Sequence, residues 1–202
     1  MSLIKVLGES CFLFSDKKTK IITDPWFGES IYGGSWTQFP PPEITLADLS
    51  DITHIFISHV HADHCSCISL RKIFQLNPSA KIIILERKNS NCILTKKLIA
   101  NFGESIIDRL LVYEAYKKFK VGSFNIWCIP PEDVNSINEL IDSSLLVETT
   151  KGLVFFGNDN EATKPHADFI NNLNKKCYLA LIPFSGGSGY PSTYNNISLT
   201  EK

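Results

Sequence analysis

Long apolar runs and an excess of either charge are both missing from this sequence. Lysine and arginine number 20 against 21 aspartates and glutamates, so the formal net charge is −1. Nucleic-acid and anionic-membrane surfaces typically carry clusters of basic residues, and no charge run here exceeds a few residues. No apolar run approaches the ~20 residues of a membrane-spanning helix. We therefore expect no nucleic-acid partner and no integral membrane segment.

The N-terminus also lacks a secretory signal, which would combine basic residues with an apolar stretch and a cleavage site. The six cysteines are even in number, but a chain of 202 residues that is 44% hydrophobic can bury a core without disulfides. Cys128 and Cys177 lie in or beside apolar runs, where buried, reduced thiols are typical. The sequence therefore predicts a cytoplasmic protein with a single domain over residues 1–202.

Short apolar runs rich in β-branched residues alternate with turns along the chain. They predict ten strands, at residues 3–7, 11–15, 20–23, 54–58, 81–85, 110–113, 124–129, 144–148, 153–157 and 179–183. Helical periodicity predicts three helices, at residues 66–75, 91–101 and 164–174. This order indicates an α/β (α+β) fold in which two sheets are sandwiched between helices.

Four metal-ligating side chains follow the predicted strand at 54–58. His59 and His61 are two positions apart, so an extended backbone puts both imidazoles on the same side. Asp63 and His64 can offer an oxygen and a nitrogen to a second ion nearby. Three of the five histidines fall in this segment, whereas His54 at the head of the strand is interpreted as structural. Zn²⁺ suits these ligands, and Fe²⁺ or Mn²⁺ would also tolerate them, so we predict one or two such ions.

The pattern His-x-His-x-Asp-His after an apolar strand resembles the signature of the metallo-β-lactamase superfamily. The resemblance implies an αββα sandwich of two mixed sheets flanked by helices, with metals at one edge and a small-molecule substrate. In that family a later carboxylate, which follows a strand and a glycine, bridges two metals. Asp159 after Gly157 matches that position. Asp63 would be either a ligand or a base that orients the attacking water, which makes it the candidate catalytic residue.

Several further segments resemble a narrower branch, which contains CMP-N-acetylneuraminate hydroxylase and bacterial relatives from amino-sugar pathways. The matching segments are 24–27, 33–36, 39–42, 142–148 and the glycine-rich 185–191. Two of the irregular stretches involved, 27–42 and 185–196, are long loops, which are often functional in compact domains. The predicted substrate-loop residues are Trp26, Trp36, Ser185, Gly186, Gly187 and Tyr190.

The chain departs from the family pattern in its later ligands. Many members carry another histidine after a strand that ends in Ile-Pro, whereas this chain has Glu132 and Asp133 after the predicted strand at 124–129. Either could replace that histidine as an oxygen ligand, or the position could be vacant. His166 is interpreted as either a further ligand or a surface residue. The chain ends soon after residue 196, where relatives continue, so it could be short at its C-terminus.

We interpret the chain as a metal-dependent hydrolase that uses a metal-bound hydroxide. The resemblance suggests an amino sugar or a nucleotide-linked sugar as substrate. A non-catalytic or accessory metal-binding protein of a sugar-biosynthesis pathway, and a phosphodiesterase, stay open as alternatives. A hydroxylase that relies on a Rieske cluster is not expected, because Cys65 and Cys67 have no matching second pair of ligands. The sequence leaves the metal identity, the bond cleaved and the oligomeric state open.

Overall fold

Two β-sheets form the centre of the protein, whose computed structural model describes residues 3–85, 93–131, 142–160 and 162–183. The first sheet has six strands, in the order β1 (Leu3–Val6), β2 (Phe12–Ser15), β3 (Lys20–Thr23), β4 (His54–Phe56), β5 (Lys81–Leu85) and β6 (Leu110–Tyr113). β1 to β3 form an antiparallel meander, and β3 to β6 run parallel. The carboxyl ends of β3 to β6 therefore lie along one edge of this sheet.

The second sheet has five strands. Their spatial order is β11 (Cys177–Leu181), β10 (Gly152–Phe156), β9 (Ser144–Thr149), β8 (Phe124–Ile129) and β7 (Lys118–Val121). β7 to β10 are antiparallel, and β11 runs parallel to β10. Because Phe156 pairs with Leu145, the end of β10 and the start of β9 lie side by side.

Helices cover the outer faces of both sheets. They are α1 (Leu46–Leu49), α2 (Cys67–Leu76), α3 (Ile93–Phe102) and α4 (Lys164–Asn172), with 3-10 turns at Tyr32–Gly34 and Glu104–Arg109. Ile73 of α2 and Leu98 of α3 are buried in one cluster with Ile55 of the first sheet. Ile170 of α4 packs in another cluster with Phe155 of the second sheet. Within the described ranges, no helix has the length and apolar character needed to cross a membrane.

The two sheets pack face to face through alternate residues of their strands. In β4, Ile55 faces the helices and Phe56 faces the second sheet, since successive side chains of a strand point to opposite faces. Phe56 meets Phe156 of β10 with ring centroids 6.2 Å apart. Burying each such side chain contributes roughly 1.5–3 kcal/mol of hydrophobic free energy. The layers run helix, sheet, sheet, helix, which confirms the predicted αββα sandwich.

All ten predicted strands are present, and the described residues contain one strand and one α-helix that were not predicted. β7 alternates lysine with apolar residues at a sheet edge, so its apolar signal is weak. α1 is a single turn, too short for a periodic pattern. Cys128 is buried as expected, whereas the expectation of a buried Cys177 is wrong. Cys177 begins the edge strand β11, and its side chain is exposed.

Candidate metal centre

The candidate site lies at the edge of the sandwich where four chain segments meet. Asp24 follows β3 and the histidine motif follows β4, and these two segments leave the first sheet side by side because the strands are parallel. On the second sheet, Asp142 precedes β9 and Asp159 follows β10, which are antiparallel neighbours. Ser143 Oγ donates a hydrogen bond to the carbonyl oxygen of Ser58 at 2.8 Å and so joins the two sheets at this edge.

His59, His61 and Asp159 form one potential ligand group. The Nε2 atom of His59 lies 2.8 Å from Nδ1 of His61 and 3.7 Å from Oδ2 of Asp159. One ligand atom from each of the three residues lies within 4.8 Å of the other two. His59 is buried, whereas His61 and Asp159 are exposed, so an ion held here would be reachable from solvent. The spacing and the donor types fit a single divalent ion.

Asp63 and His64 form a second potential ligand group together with the same Asp159. The Nε2 atom of His64 lies 3.2 Å from Oδ2 of Asp63 and 3.3 Å from Oδ1 of Asp159. The imidazole rings of His59 and His64 are 4.2 Å apart between centroids. Asp159 therefore turns one oxygen toward each group, which is the arrangement a bridging carboxylate needs. The structure thus brings together all five of the residues predicted as ligands from the sequence motif and its match.

The most buried carboxylate of the site, Asp24, had no predicted role. Its Oδ2 accepts a hydrogen bond from Nδ1 of His64 at 2.9 Å, and its two oxygens also accept from the backbone N–H and the hydroxyl of Ser58. A carboxylate on the outer ring nitrogen fixes the tautomer of a ligating histidine and turns its Nε2 toward the metal. The role follows from the parallel pairing of Thr23 with Phe56, which places Asp24 beside the start of the histidine motif and is not visible in the sequence.

His59 is held in a similar way from the second sheet. Its Nδ1 atom lies 3.0 Å from Ser58 Oγ and 3.4 Å from Oδ1 of Asp142. Asp142 in turn accepts hydrogen bonds from Nδ2 of Asn158 at 2.6 Å and from the backbone N–H of Ser143 at 2.7 Å. Both buried histidines therefore present Nε2 to the site because their Nδ1 atoms are held from behind.

The charges of the site are strongly coupled. Burial by itself lowers the pKa of His64, but hydrogen bonds to Asp159, Asp24 and Asp63 raise it well above its ordinary value. Burial by itself raises the pKa of Asp63, yet the hydrogen bond and charge of His64 bring it below its ordinary value. The pKa of Asp159 is lowered in the same way. The carboxylates that raise the pKa of His64 also favour a bound cation electrostatically.

An aromatic loop covers one side of this edge. Tyr32 Oη donates a hydrogen bond to Oδ1 of Asp63 at 3.0 Å and accepts one from the backbone N–H of Ala62 at 3.3 Å. The ring of Trp36 packs edge-on against Tyr32 with centroids 5.4 Å apart, and both rings are exposed. Trp26 differs from the prediction: it is buried, and its Nε1 donates to a backbone carbonyl, so it supports the loop from below.

Lys97 of α3 supports the histidine motif from the helix side. Its ammonium donates hydrogen bonds to the carbonyl oxygens of Val60 and Cys65, both at 2.8 Å. These two residues lie at either end of the turn that carries His61, Asp63 and His64. This contact could not be predicted from the sequence, because Lys97 is more than thirty residues away from both partners along the chain.

The remaining predicted residues lie elsewhere. His166 is not a surface residue: it is buried, its Nε2–H donates to the carbonyl oxygen of Pro130 at 3.0 Å, and its Nδ1 accepts from the backbone N–H of Thr163. His54 begins β4, at the opposite end of the strand from the site, and contacts Thr53 Oγ1. Six predicted site residues lie outside the described ranges: Glu132, Asp133, Ser185, Gly186, Gly187 and Tyr190.

Comparison with known proteins agrees with this geometry. A family model described as "Beta-lactamase superfamily domain" matches residues 3–135. With the αββα sandwich and the histidine motif at its edge, the match establishes that the chain belongs to the metallo-β-lactamase superfamily. It is 25% identical over 191 residues to the cytidine monophosphate-N-acetylneuraminic acid hydroxylase of Sus scrofa, which covers 91% of this chain and 40% of the relative. This confirms the predicted resemblance to that hydroxylase.

The corresponding hydroxylase of Mus musculus is 24% identical over 207 residues, which covers 98% of this chain and 33% of the relative. The chain thus spans between a third and two fifths of the length of these relatives. Among solved structures, CmlA, a diiron β-hydroxylase from Streptomyces venezuelae, has a TM-score of 0.56 at 18% identity and covers 77% of this chain and 29% of its own. The class B3 di-zinc metallo-β-lactamase LRA-12 from an Alaskan soil metagenome has a TM-score of 0.53 at 14% identity, covering 94% and 82%.

Proposed function

We propose that the chain is a metal-dependent hydrolase that holds two metal ions. The observation that carries the proposal is the position of Asp159, whose two oxygens face His59 on one side and His64 on the other. His59, His61 and Asp159 would hold one ion, and Asp63, His64 and Asp159 the other. The set combines imidazole nitrogens with carboxylates that are ionised at neutral pH, which suits Zn²⁺.

The site's own residues would position the reacting groups. A bound ion would supply the nucleophile by lowering the pKa of a water from 15.7 to about 7. Asp63 uses Oδ1 to accept from Tyr32 and turns Oδ2 toward His64. Because its pKa lies below the ordinary value, this carboxylate is a weak base. We therefore favour a ligand role for Asp63 over the role of proton acceptor.

The substrate class that we propose is an amino sugar or a nucleotide-linked sugar. The exposed rings of Tyr32 and Trp36 lie beside Asp63, and aromatic faces of this kind stack against sugar rings and bases. The printed names of the curated relatives refer to a nucleotide-linked sugar, which supports the same class. We keep a cytoplasmic location as part of the proposal, since the described cysteines are free thiols.

A second candidate function is oxygen-dependent hydroxylation with iron. His59, His61 and Asp159 make up two histidines and one carboxylate, a donor set typical of non-haem Fe(II) oxygenases. The curated relatives and one of the structural relatives are hydroxylases by name. The metal that the protein selects would therefore decide between the two functions. Two further candidates are an accessory protein that binds the sugar without turnover and a phosphodiesterase.

The first test is metal content. Protein purified without chelator should contain about two equivalents of metal by inductively coupled plasma mass spectrometry. The double variant His59→Ala/His61→Ala should lose at least one of them. His54→Ala is the matched control, because His54 lies at the far end of β4, and it should keep the wild-type content. A chain that binds no metal after reconstitution would overturn both functions.

The second test separates the chemistries. Metal-free protein is loaded with Zn²⁺ or, without oxygen, with Fe²⁺, and each form is given free and CMP-linked amino sugars. A hydrolase should cleave its substrate with Zn²⁺ in the absence of O₂, and Asp63→Asn should abolish turnover. A hydroxylase should need Fe²⁺ and transfer an atom from labelled O₂ to the product. Sugar binding without turnover in either form would indicate the accessory role.

A further inference from the structure

A serine and an aspartate connect the two buried histidines of the candidate metal centre. The hydroxyl of Ser58 donates a hydrogen bond to Oδ2 of Asp24 at 2.6 Å and lies 3.0 Å from Nδ1 of His59. The same Oδ2 atom lies 2.9 Å from Nδ1 of His64. A continuous hydrogen-bonded path through Ser58 and Asp24 therefore joins His59 to His64, and each histidine belongs to a different potential ligand group.

The path is closed to solvent and held in place from both sheets. All four of its residues are buried, so water cannot replace a hydrogen bond that the path loses. The backbone N–H of Ser58 donates to Oδ1 of Asp24 at 2.8 Å, and its carbonyl oxygen accepts from Ser143 Oγ at 2.8 Å. The backbone of Ser58 is thus fixed on both sides, and the freedom that is left is the direction of its hydroxyl hydrogen.

That direction is tied to the tautomer of His59. Ser58 has one hydroxyl hydrogen, so it donates either to Asp24 or to His59. An ion on Nε2 of His59 requires the ring hydrogen to be on Nδ1, from which it donates to Ser58, and Ser58 then donates to Asp24. In the opposite arrangement the ring hydrogen of His59 is on Nε2, 2.8 Å from Nδ1 of His61, and blocks the ion.

The same direction suits an ion on His64. Nε2 of His64 is available to an ion when its Nδ1–H donates to Oδ2 of Asp24. In the opposite arrangement, Ser58 Oγ and this Oδ2 atom would lie 2.6 Å apart without the hydrogen that Ser58 now donates. An ion on either histidine therefore selects the arrangement that the other ion needs.

We propose that Ser58 is a positioning residue through which an ion bound at one ligand group strengthens binding at the other. The inference rests on the two-ion site proposed above and deepens it. The first ion selects one arrangement of the path, and the second ion then binds to a path that is already arranged. Coupling between two sites is typically roughly 5- to 150-fold and acts equally in both directions. We expect a contribution of about tenfold from Ser58.

Native mass spectrometry of the full-length chain, titrated with Zn²⁺, measures the forms with no, one and two ions. The squared one-ion population, divided by the product of the other two, falls as the coupling increases. This ratio should be about tenfold higher in Ser58→Ala than in the wild-type protein. Ser69→Ala is the matched control, because Ser69 is also buried but donates to Glu29 instead, and it should keep the wild-type ratio. Equal ratios for Ser58→Ala and the wild-type protein would overturn the proposal.

Distortion of one ligand group would also raise the ratio, and variants with a single complete group separate the two causes. His61→Ala keeps the group of Asp63 and His64, and Asp63→Ala keeps the group of His59 and His61. In each of these proteins, adding Ser58→Ala should change the Zn²⁺ affinity by less than about threefold, because no second ion is coupled. A tenfold loss in either protein would show that Ser58 acts on that group alone and would refute the coupling.

Failure of the coupling can be told apart from failure of the proposed function. A wild-type chain that binds two Zn²⁺ ions with the same ratio as Ser58→Ala keeps its two-ion site and loses only the role of Ser58. A wild-type chain that binds fewer than two Zn²⁺ ions would contradict the two-ion site, and the coupling with it.

Discussion

The Nδ1 atom of His64 lies 2.9 Å from Oδ2 of Asp24, a carboxylate with no exposure to solvent. Asp24 also accepts two hydrogen bonds from Ser58, so all three of its short contacts orient the strand ends that carry the histidines. An amide at this position cannot accept all three hydrogen bonds, because its NH2 group would face a donor on one side, either the Ser58 backbone N–H or the pair formed by the Ser58 hydroxyl and His64. Asp24 therefore both stabilises this edge of the fold and orients the potential metal ligand His64.

Replacing Asp24 with asparagine should weaken metal binding about 10- to 100-fold, because His64 loses the group that fixes its tautomer. The measurement is a competition titration of Zn²⁺ against a chromophoric chelator. The matched control is Asp108→Asn, since the side chain of Asp108 is exposed and its contact with Lys81 uses the backbone carbonyl. Equal Zn²⁺ affinities of the two variants would show that Asp24 does not act through His64.

Stability and metal binding should respond to pH in opposite directions. The pKa of His64 is raised in the folded protein, so its contribution to metal-free stability is complete below about pH 6.5 and is lost as the pH rises through the folded value. Metal binding requires the neutral imidazole and becomes tighter over the same range. The increase in melting temperature caused by Zn²⁺ should therefore grow between about pH 6 and pH 8. A constant increase across that range would contradict this coupling.

The metal motif could be predicted from sequence because its chemistry is local. His59 to His64 follow one strand without interruption, and the two-residue period fixes which side chains share a face. Asp159 came from the resemblance, through its position after a strand and a glycine. In both cases the ligands lie within a few residues of the strand that precedes them, so a short stretch of sequence is enough to identify them.

The supporting residues could not be predicted because they depend on the pairing of distant strands. Asp24 reaches His64 across forty residues, and Lys97 reaches Val60 across thirty-seven. The surface position predicted for His166 was wrong for the same reason, since its partner Pro130, directly after β8, is thirty-six residues away along the chain. Such contacts follow from the register of the sheets, which the sequence pattern alone does not specify.

Removal of the Tyr32 hydroxyl should change the metal environment without unfolding the loop. Tyr32→Phe loses the hydrogen bond to Asp63, a contact of about 1 kcal/mol, so any turnover that depends on Asp63 should fall roughly five-fold. A readout that needs no substrate is the visible absorption of the Co²⁺-loaded protein, which should shift. Tyr178→Phe is the matched control, because Tyr178 lies on β11 with a similar exposure, 46% against 49%. Identical spectra for both variants and the wild-type protein would exclude a role for Tyr32 at the metal.

Lys97 should contribute to stability through the turn that carries the ligands. In Lys97→Met the carbonyl oxygens of Val60 and Cys65 lose a charged donor while the aliphatic part of the side chain is kept, so the free energy of unfolding should fall by about 1–3 kcal/mol. Urea unfolding of the metal-free protein measures this without interference from bound ions. Lys72→Met, at an exposed position of α2, is the matched control and should change the free energy by less than about 0.5 kcal/mol. If both variants unfold at the same urea concentration as the wild-type protein, the two hydrogen bonds of Lys97 make no net contribution to stability, and the turn is held by its backbone contacts alone.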